Sequence, residues 1–123
     1  LQALNYMHHN EVTHRDLKPA NILLTDKSGE LNIKIADFGF SCIYDPKVGL
    51  DNSLGTPMFM APELLNFKPY NEKVDIWATM VIAYSFLSAG QLPWDVSTRD
   101  ELVAAVNKKE PKYTATEFKK VSK

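Results

Sequence analysis

Cysteine is almost missing from this sequence, and the single thiol, Cys42, excludes an intramolecular disulfide framework. A lone cysteine and no signal-like start suit a reducing compartment, so the expected location is cytoplasmic. A charge excess is missing too: 14 Lys and Arg stand against 15 Asp and Glu, a net charge of -1. Nothing in that balance draws the chain to nucleic acid. Long hydrophobic runs are also lacking. The longest, "WATMVIAYSFL" at 77–87, is too short for a membrane span and reads as a buried helix. Neither an internal repeat nor a low-complexity segment occurs. What remains is 123 residues, 45% of them hydrophobic, enough for one small domain with a core. The chain opens inside an apparent helix and stops at "EFKKVSK", so it reads as a piece of a larger protein.

Leu1, Leu4, Met7 and His8 recur at helical spacing and predict the tail of an amphipathic helix ending near Asn10. "ILL" at 22–24 predicts a short buried strand, "TDKSGE" a turn, and "LNIKIA" a second strand with Leu31, Ile33 and Ile35 alternating against Asn32 and Lys34. Together they predict a hairpin. Residues 40–54 keep no period and carry Pro46, Gly49 and Asn52, which predicts either disorder or a functional loop. "APELLNF" reads as a helical turn, and 71–89, apolar almost all round, as a central core helix in which Trp77, Met80 and Phe86 are core. Thr98 and Glu101 stand at capping-box spacing before a surface helix.

Chemistry concentrates in "THRDLKPANILL" at 13–24. His14, Arg15, Asp16, Lys18 and Asn21 lie too close together to share the buried face of a regular element, so the stretch reads as a loop that holds something. An Asp on such a loop can orient a hydroxyl and accept its proton. A Lys two residues on projects the same way in extended backbone and can neutralise charge. Asn21, with Asp37 in "ADFG", offers hard oxygen ligands suited to Mg²⁺, and a hairpin returns its two ends to one edge where both can face one metal. Positioning plus charge neutralisation is what phosphoryl transfer requires. The bland alternative is a solvated loop of ordinary surface charges. For His8, His9 and His14 no partner lies at zinc-ligand spacing, so capping or core roles are expected. Cys42 reads as a bystander.

His14 to Asn21 ("HRDLKPAN"), Asp37-Phe38-Gly39 and Ala61-Pro62-Glu63 resemble, in order and spacing, the catalytic loop and activation segment of eukaryotic protein kinases, serine/threonine type. The resemblance spans nearly all of 1–123 and implies a partial kinase domain: α+β, mostly α, a C-terminal lobe with one small β-hairpin, the N-terminal lobe absent. It implies ATP and Mg²⁺ as cofactors and a Ser/Thr-bearing protein or peptide as substrate. By that likeness Asp16 takes the substrate proton, Lys18 approaches the γ-phosphate, Asn21 and Asp37 bind metal, and Leu23 lies under the adenine. Thr56 braces Asp16 and Lys18, while 55–60 line the pocket after the phosphorylated residue. His14 and Phe38 match a buried spine, on whose adenine side Ile82 and Phe86 fall. Asp75 matches a carboxylate that holds the catalytic-loop backbone. Gly39 and Glu63 match supporting positions.

Some residues depart from the family pattern. Ala20 replaces a common acidic residue, Met80 a glycine of the core helix, and Asn52 an often phosphorylated threonine. Ser53 or Asp51 is then the group expected to meet Arg15, as a shifted phosphosite or a built-in carboxylate. A glycine-rich loop, the strand lysine and its glutamate do not occur here, and the arginine that pairs with Glu63 would lie beyond Lys123. The wording looks most like the calcium/calmodulin-dependent and calcium-dependent kinases, which implies calcium or calmodulin regulation through regions not present. Two functions therefore compete: a kinase in the parent protein, with the piece alone inactive, or a truncated or pseudokinase-type module that docks partners without catalysis.

Overall fold

The computed structural model describes residues 1–26, 31–108, 110, 111, 113 and 118. Most of the turn expected at 25–30 lies outside them. Helix α1, Gln2–His9, buries Leu4 and Met7 one turn apart, and its last carbonyls are met by the backbone N–H of Asn10. Asn10 Nδ2 adds a 2.7 Å bond to the Tyr6 carbonyl. His8 and His9 sit in the last turn, where the helix dipole favours donors. Glu11, at φ 59°, turns the chain into strand β1, Val12–Thr13.

Two separate antiparallel pairs follow, β1 with β4, Cys42–Ile43, and β2, Ile22–Asp26, with β3, Leu31–Ile35. The expected hairpin is β2–β3, in register Ile22↔Ile35 through Asp26↔Leu31. It is not buried, however. Leu23, Leu24 and Ile33 are 49%, 67% and 61% exposed. Ile22 and Ile35, the pair next to the Asp16 loop, pack against Leu4, Leu17, Ala78 and Ile82, while the rest projects past the helices. The second pair was not foreseen. Val12↔Ile43 and Thr13↔Cys42 tie the aperiodic 40–54 segment to the chain ahead of Asp16, and a Leu50↔Tyr70 bridge holds its middle. Periodicity cannot reveal contacts only two residues long.

Helix α2, Pro62–Leu65, begins with proline at its first position and buries Leu64 and Leu65. Helix α3, Lys73–Leu87, runs between the two core clusters, one built on Leu64, Leu65, Tyr70, Val74 and Trp94, the other on Leu4, Leu17, Ala78 and Ile82. The expectation that its apolar side chains are all core is corrected at Met80 and Phe86, which are 63% and 66% exposed. Two clusters cover two faces of α3, the rings of Tyr113 and Phe118 lie against Tyr84 at 5.8 and 5.0 Å, and Met80 and Phe86 face outward. Trp77 is half-buried and stacks on Trp94, with centroids 5.8 Å apart and planes within 3°. Helix α4, Arg99–Lys108, has the expected capping box: Thr98 Oγ1 accepts from Glu101 N at 3.2 Å, and Glu101 Oε2 accepts from Thr98 N at 3.3 Å and Ser97 N at 3.0 Å. Among the described residues the chain is thus mostly helical with small antiparallel sheets, and no helix is long and apolar enough to cross a membrane.

Candidate active site

The loop between β1 and β2 is held from below. Asp75, 1% exposed in the first turn of α3, accepts from the backbone N–H of His14 at 2.8 Å and of Arg15 at 2.9 Å. Arg15 is left-handed, at φ 69°, so consecutive amides can point at one carboxylate. His8 of α1 completes that carboxylate's shell at 2.9 Å from Oδ2. His14 is fully buried. Its Nδ1 accepts from Asp16 N at 3.2 Å, so in the neutral ring Nε2 carries the proton and donates to the Ala36 carbonyl at 3.0 Å. The ring meets Phe38 edge-on at 5.1 Å, but Phe38 is 48% exposed, so of the expected buried pair only His14 is buried among the described residues.

Above this floor Asp16, Lys18 and Thr56 form one network. Asp16 Oδ1 accepts from Thr56 N at 2.8 Å and Thr56 Oγ1 at 2.7 Å, and Oδ2 pairs with Lys18 Nζ at 2.7 Å. Lys18 Nζ also donates to Thr56 Oγ1 at 3.1 Å. Burial pushes the Asp16 carboxyl upward, but the hydrogen bonds from Lys18 and Thr56, with the Lys18 charge, outweigh it and leave the pKa below the usual 3.8. The contribution of this network to stability is complete above pH 3.8 and is lost as pH falls through the lower folded value. Lys18→Met removes the largest lowering contribution, the Lys18 hydrogen bond, together with the Lys18 charge, and leaves burial and both Thr56 bonds in place. The Asp16 carboxyl should therefore titrate at higher pH in that variant, read from its ¹³C shift, and an unmoved titration would contradict the assignment.

Residues 55–56 reach Asp16 because Gly55 permits it. At φ 123°, a Cβ on Gly55 would stand 2.5 Å from the Arg15 carbonyl oxygen, so no other residue allows the two loops to close this far. Met60 lies buried behind, with Pro57–Phe59 forming a short 3₁₀ turn.

Asn21 and Asp37 come together through the backbone. Ile22↔Ile35 is the first hairpin pair, and Ala36 N donates to the Asn21 carbonyl at 2.9 Å. Asn21 is buried and donates from Nδ2 to the Asp16 carbonyl at 2.9 Å, which orients its side-chain oxygen as an acceptor. Asp37 is exposed, left-handed at φ 61°, and among the described residues accepts from Gly39 N at 3.3 Å on Oδ1 alone. Among the described residues no three His, Cys, Asp or Glu cluster as a closed metal cage. One amide oxygen and one open carboxylate are a donor set that fits a hard cation keeping water or anionic oxygens as further ligands.

The remaining residues are more scattered. Leu23 is half-exposed on the face of β2 opposite Ile22. Arg15 meets neither Asp51 nor Ser53. It donates from Nε to the Phe40 carbonyl at 2.6 Å and from Nη1 to Tyr70 Oη at 3.3 Å, while Ser53 Oγ donates to the Leu64 carbonyl at 2.8 Å. Glu63, half-buried in the first turn of α2, lines an open groove with Tyr70 and Asn71. Burial raises the pKa of Cys42, with Arg15 opposing, which leaves the thiol poorly reactive. Sequence reasoning missed His8 as a partner of Asp75 and missed Tyr70 altogether. The helical phase of His8 signalled an inward side chain, but nothing local signalled a partner 67 residues away.

Residues 1–123 match the family described as protein kinase domain. The chain is 44% identical over 103 residues to a probable myosin light chain kinase of Dictyostelium discoideum, covering 83% of this chain and 26% of that protein. It is 39% identical over 122 residues to calcium/calmodulin-dependent protein kinase type 1 of Caenorhabditis elegans, covering 99% of this chain and 34% of the relative. Calcium-dependent protein kinase 4 of Plasmodium falciparum is 40% identical over 123 residues, with 99% and 23% covered. The chain thus spans about a quarter to a third of the length of these relatives.

Proposed function

The chain belongs to the protein kinase domain family, and from that premise we propose that the protein transfers the γ-phosphoryl group of ATP to a serine or threonine hydroxyl of a protein substrate, with Mg²⁺. In this reading residues 1–123 are the lower, C-terminal-lobe part of the catalytic domain. The observation that carries it is the Asp16–Lys18–Thr56 network standing beside the Asn21–Asp37 edge. Asp16, ionised and fixed by Thr56, accepts the hydroxyl proton as the hydroxyl oxygen bonds to the γ-phosphorus and the bond to the ADP oxygen breaks. Lys18 sits one hydrogen bond from Asp16 and can shift onto a phosphate oxygen. Asn21 and Asp37 would hold the cation. Mg²⁺ bound there supplies charge neutralisation on the phosphates.

Leu23, half-exposed, is free to meet an adenine ring. Arg15 and Ser53 remain the proposed regulatory pair, and a phosphate on Ser53 would first have to release its bond to Leu64. Control by calcium or calmodulin, through parts of the protein outside residues 1–123, is proposed on likeness to relatives whose names carry it. The test is transfer of labelled phosphate from ATP to a serine peptide by the whole protein, with and without Mg²⁺. Mg²⁺-dependent labelling that Asp37→Ala removes is the expected result. A protein that folds and labels nothing would instead favour a docking module without catalysis.

A further inference from the structure

Arg15 carries a permanent charge beside Asp16, yet among the described residues both groups that its guanidinium meets are neutral, the Phe40 carbonyl and the Tyr70 hydroxyl. Tyr70 is 6% exposed, its ring in the cluster of Met60, Leu64 and Trp94. Its hydroxyl is used twice, accepting from Arg15 and donating to the Asn52 carbonyl at 2.7 Å. The backbone prepares this contact. Leu50 N donates to the Tyr70 carbonyl at 3.0 Å and Tyr70 N to the Leu50 carbonyl at 2.8 Å, and that register brings Asn52 to the phenol. Arg15 therefore grips residue 40 directly and residue 52 through Tyr70. The stretch 52–56 is then tethered at both ends, by Tyr70 at Asn52 and by Asp16 at Thr56.

We propose that Tyr70 is a positioning residue whose hydroxyl relays Arg15 to the Asn52 carbonyl, seating the 40–54 segment so that Thr56 reaches Asp16. The relay rests on the kinase reading only for its catalytic consequence, since its geometry stands independently. A charged donor bonded through a buried phenol to a carbonyl is a cooperative chain, and removing its middle oxygen breaks both bonds at once.

The test compares the whole protein with Tyr70→Phe, which keeps the ring in the core. Loss of one hydrogen-bonded relay should lower kcat about tenfold with the KM for ATP unchanged, and should speed amide exchange at Thr56 by about the same factor. In the Arg15→Ala background, Tyr70→Phe should add little to either effect. Unchanged kcat and unchanged Thr56 exchange in Tyr70→Phe would overturn the relay, as would effects that multiply independently with Arg15→Ala. If the wild type transfers no phosphate, the kinase reading fails, and Thr56 exchange alone then decides the relay.

Discussion

Asp16→Asn should lower phosphoryl transfer by about a thousandfold, the scale of a lost general base, while leaving the fold intact. The substitution is nearly isosteric, and the retained oxygen still accepts from Thr56 N and Thr56 Oγ1, so the brace between the two loops survives. What changes is the other edge. An amide nitrogen would face Lys18 Nζ, now 2.7 Å from a carboxylate oxygen, and two donors repel. Lys18, about a quarter exposed, can swing toward water, so the cost to stability is small. No proton acceptor remains for a substrate hydroxyl. Circular dichroism and thermal unfolding close to wild type, with turnover near zero, are the expected pair of results. Turnover within tenfold of wild type would remove Asp16 from the role of base.

Local chemistry was legible in the sequence and neighbourhood was not. The Thr98–Glu101 box is read within four residues, and its hydrogen bonds are present. The β2–β3 hairpin follows from two short apolar runs around a turn. Where a side chain goes after that depends on what lies over it. "ILL" signals apolarity, yet Leu23 and Leu24 face outward because the helices reach only the Ile22 end of the hairpin. Met80 and Phe86 failed as core residues for the same reason. A helix apolar on every side needs neighbours on every side, and two clusters cover only part of α3. Long-range polar contacts were legible only through family likeness. That likeness pointed to Thr56 at Asp16 and Asp75 under the loop, but it could not supply His8 or Tyr70.

Asp75→Ala should be strongly destabilising, because Asp75 takes donors from His8, His14 and Arg15, all distant from it in the chain. His14 N and Arg15 N end on its carboxylate, and neither amide has another acceptor among the described residues once it is gone. The buried His14 amide left without a partner costs about 1–3 kcal/mol, and the part-buried Arg15 amide, closer to water, costs less. His8 loses its partner as well, so a destabilisation of about 3–5 kcal/mol is expected, partly offset because a buried charge is also removed. Against a domain stability of about 5–15 kcal/mol, that loss takes up much of the reserve. Asp75→Asn keeps one acceptor and places a donor against the second amide, so it should fall between wild type and alanine. His8→Ala breaks one bond and leaves both amides held, so it should cost about 1 kcal/mol. Urea unfolding of the three variants gives the ordering directly. An alanine variant as stable as His8→Ala would mean that the loop amides find other acceptors, and that the Asp16 loop is not suspended from α3.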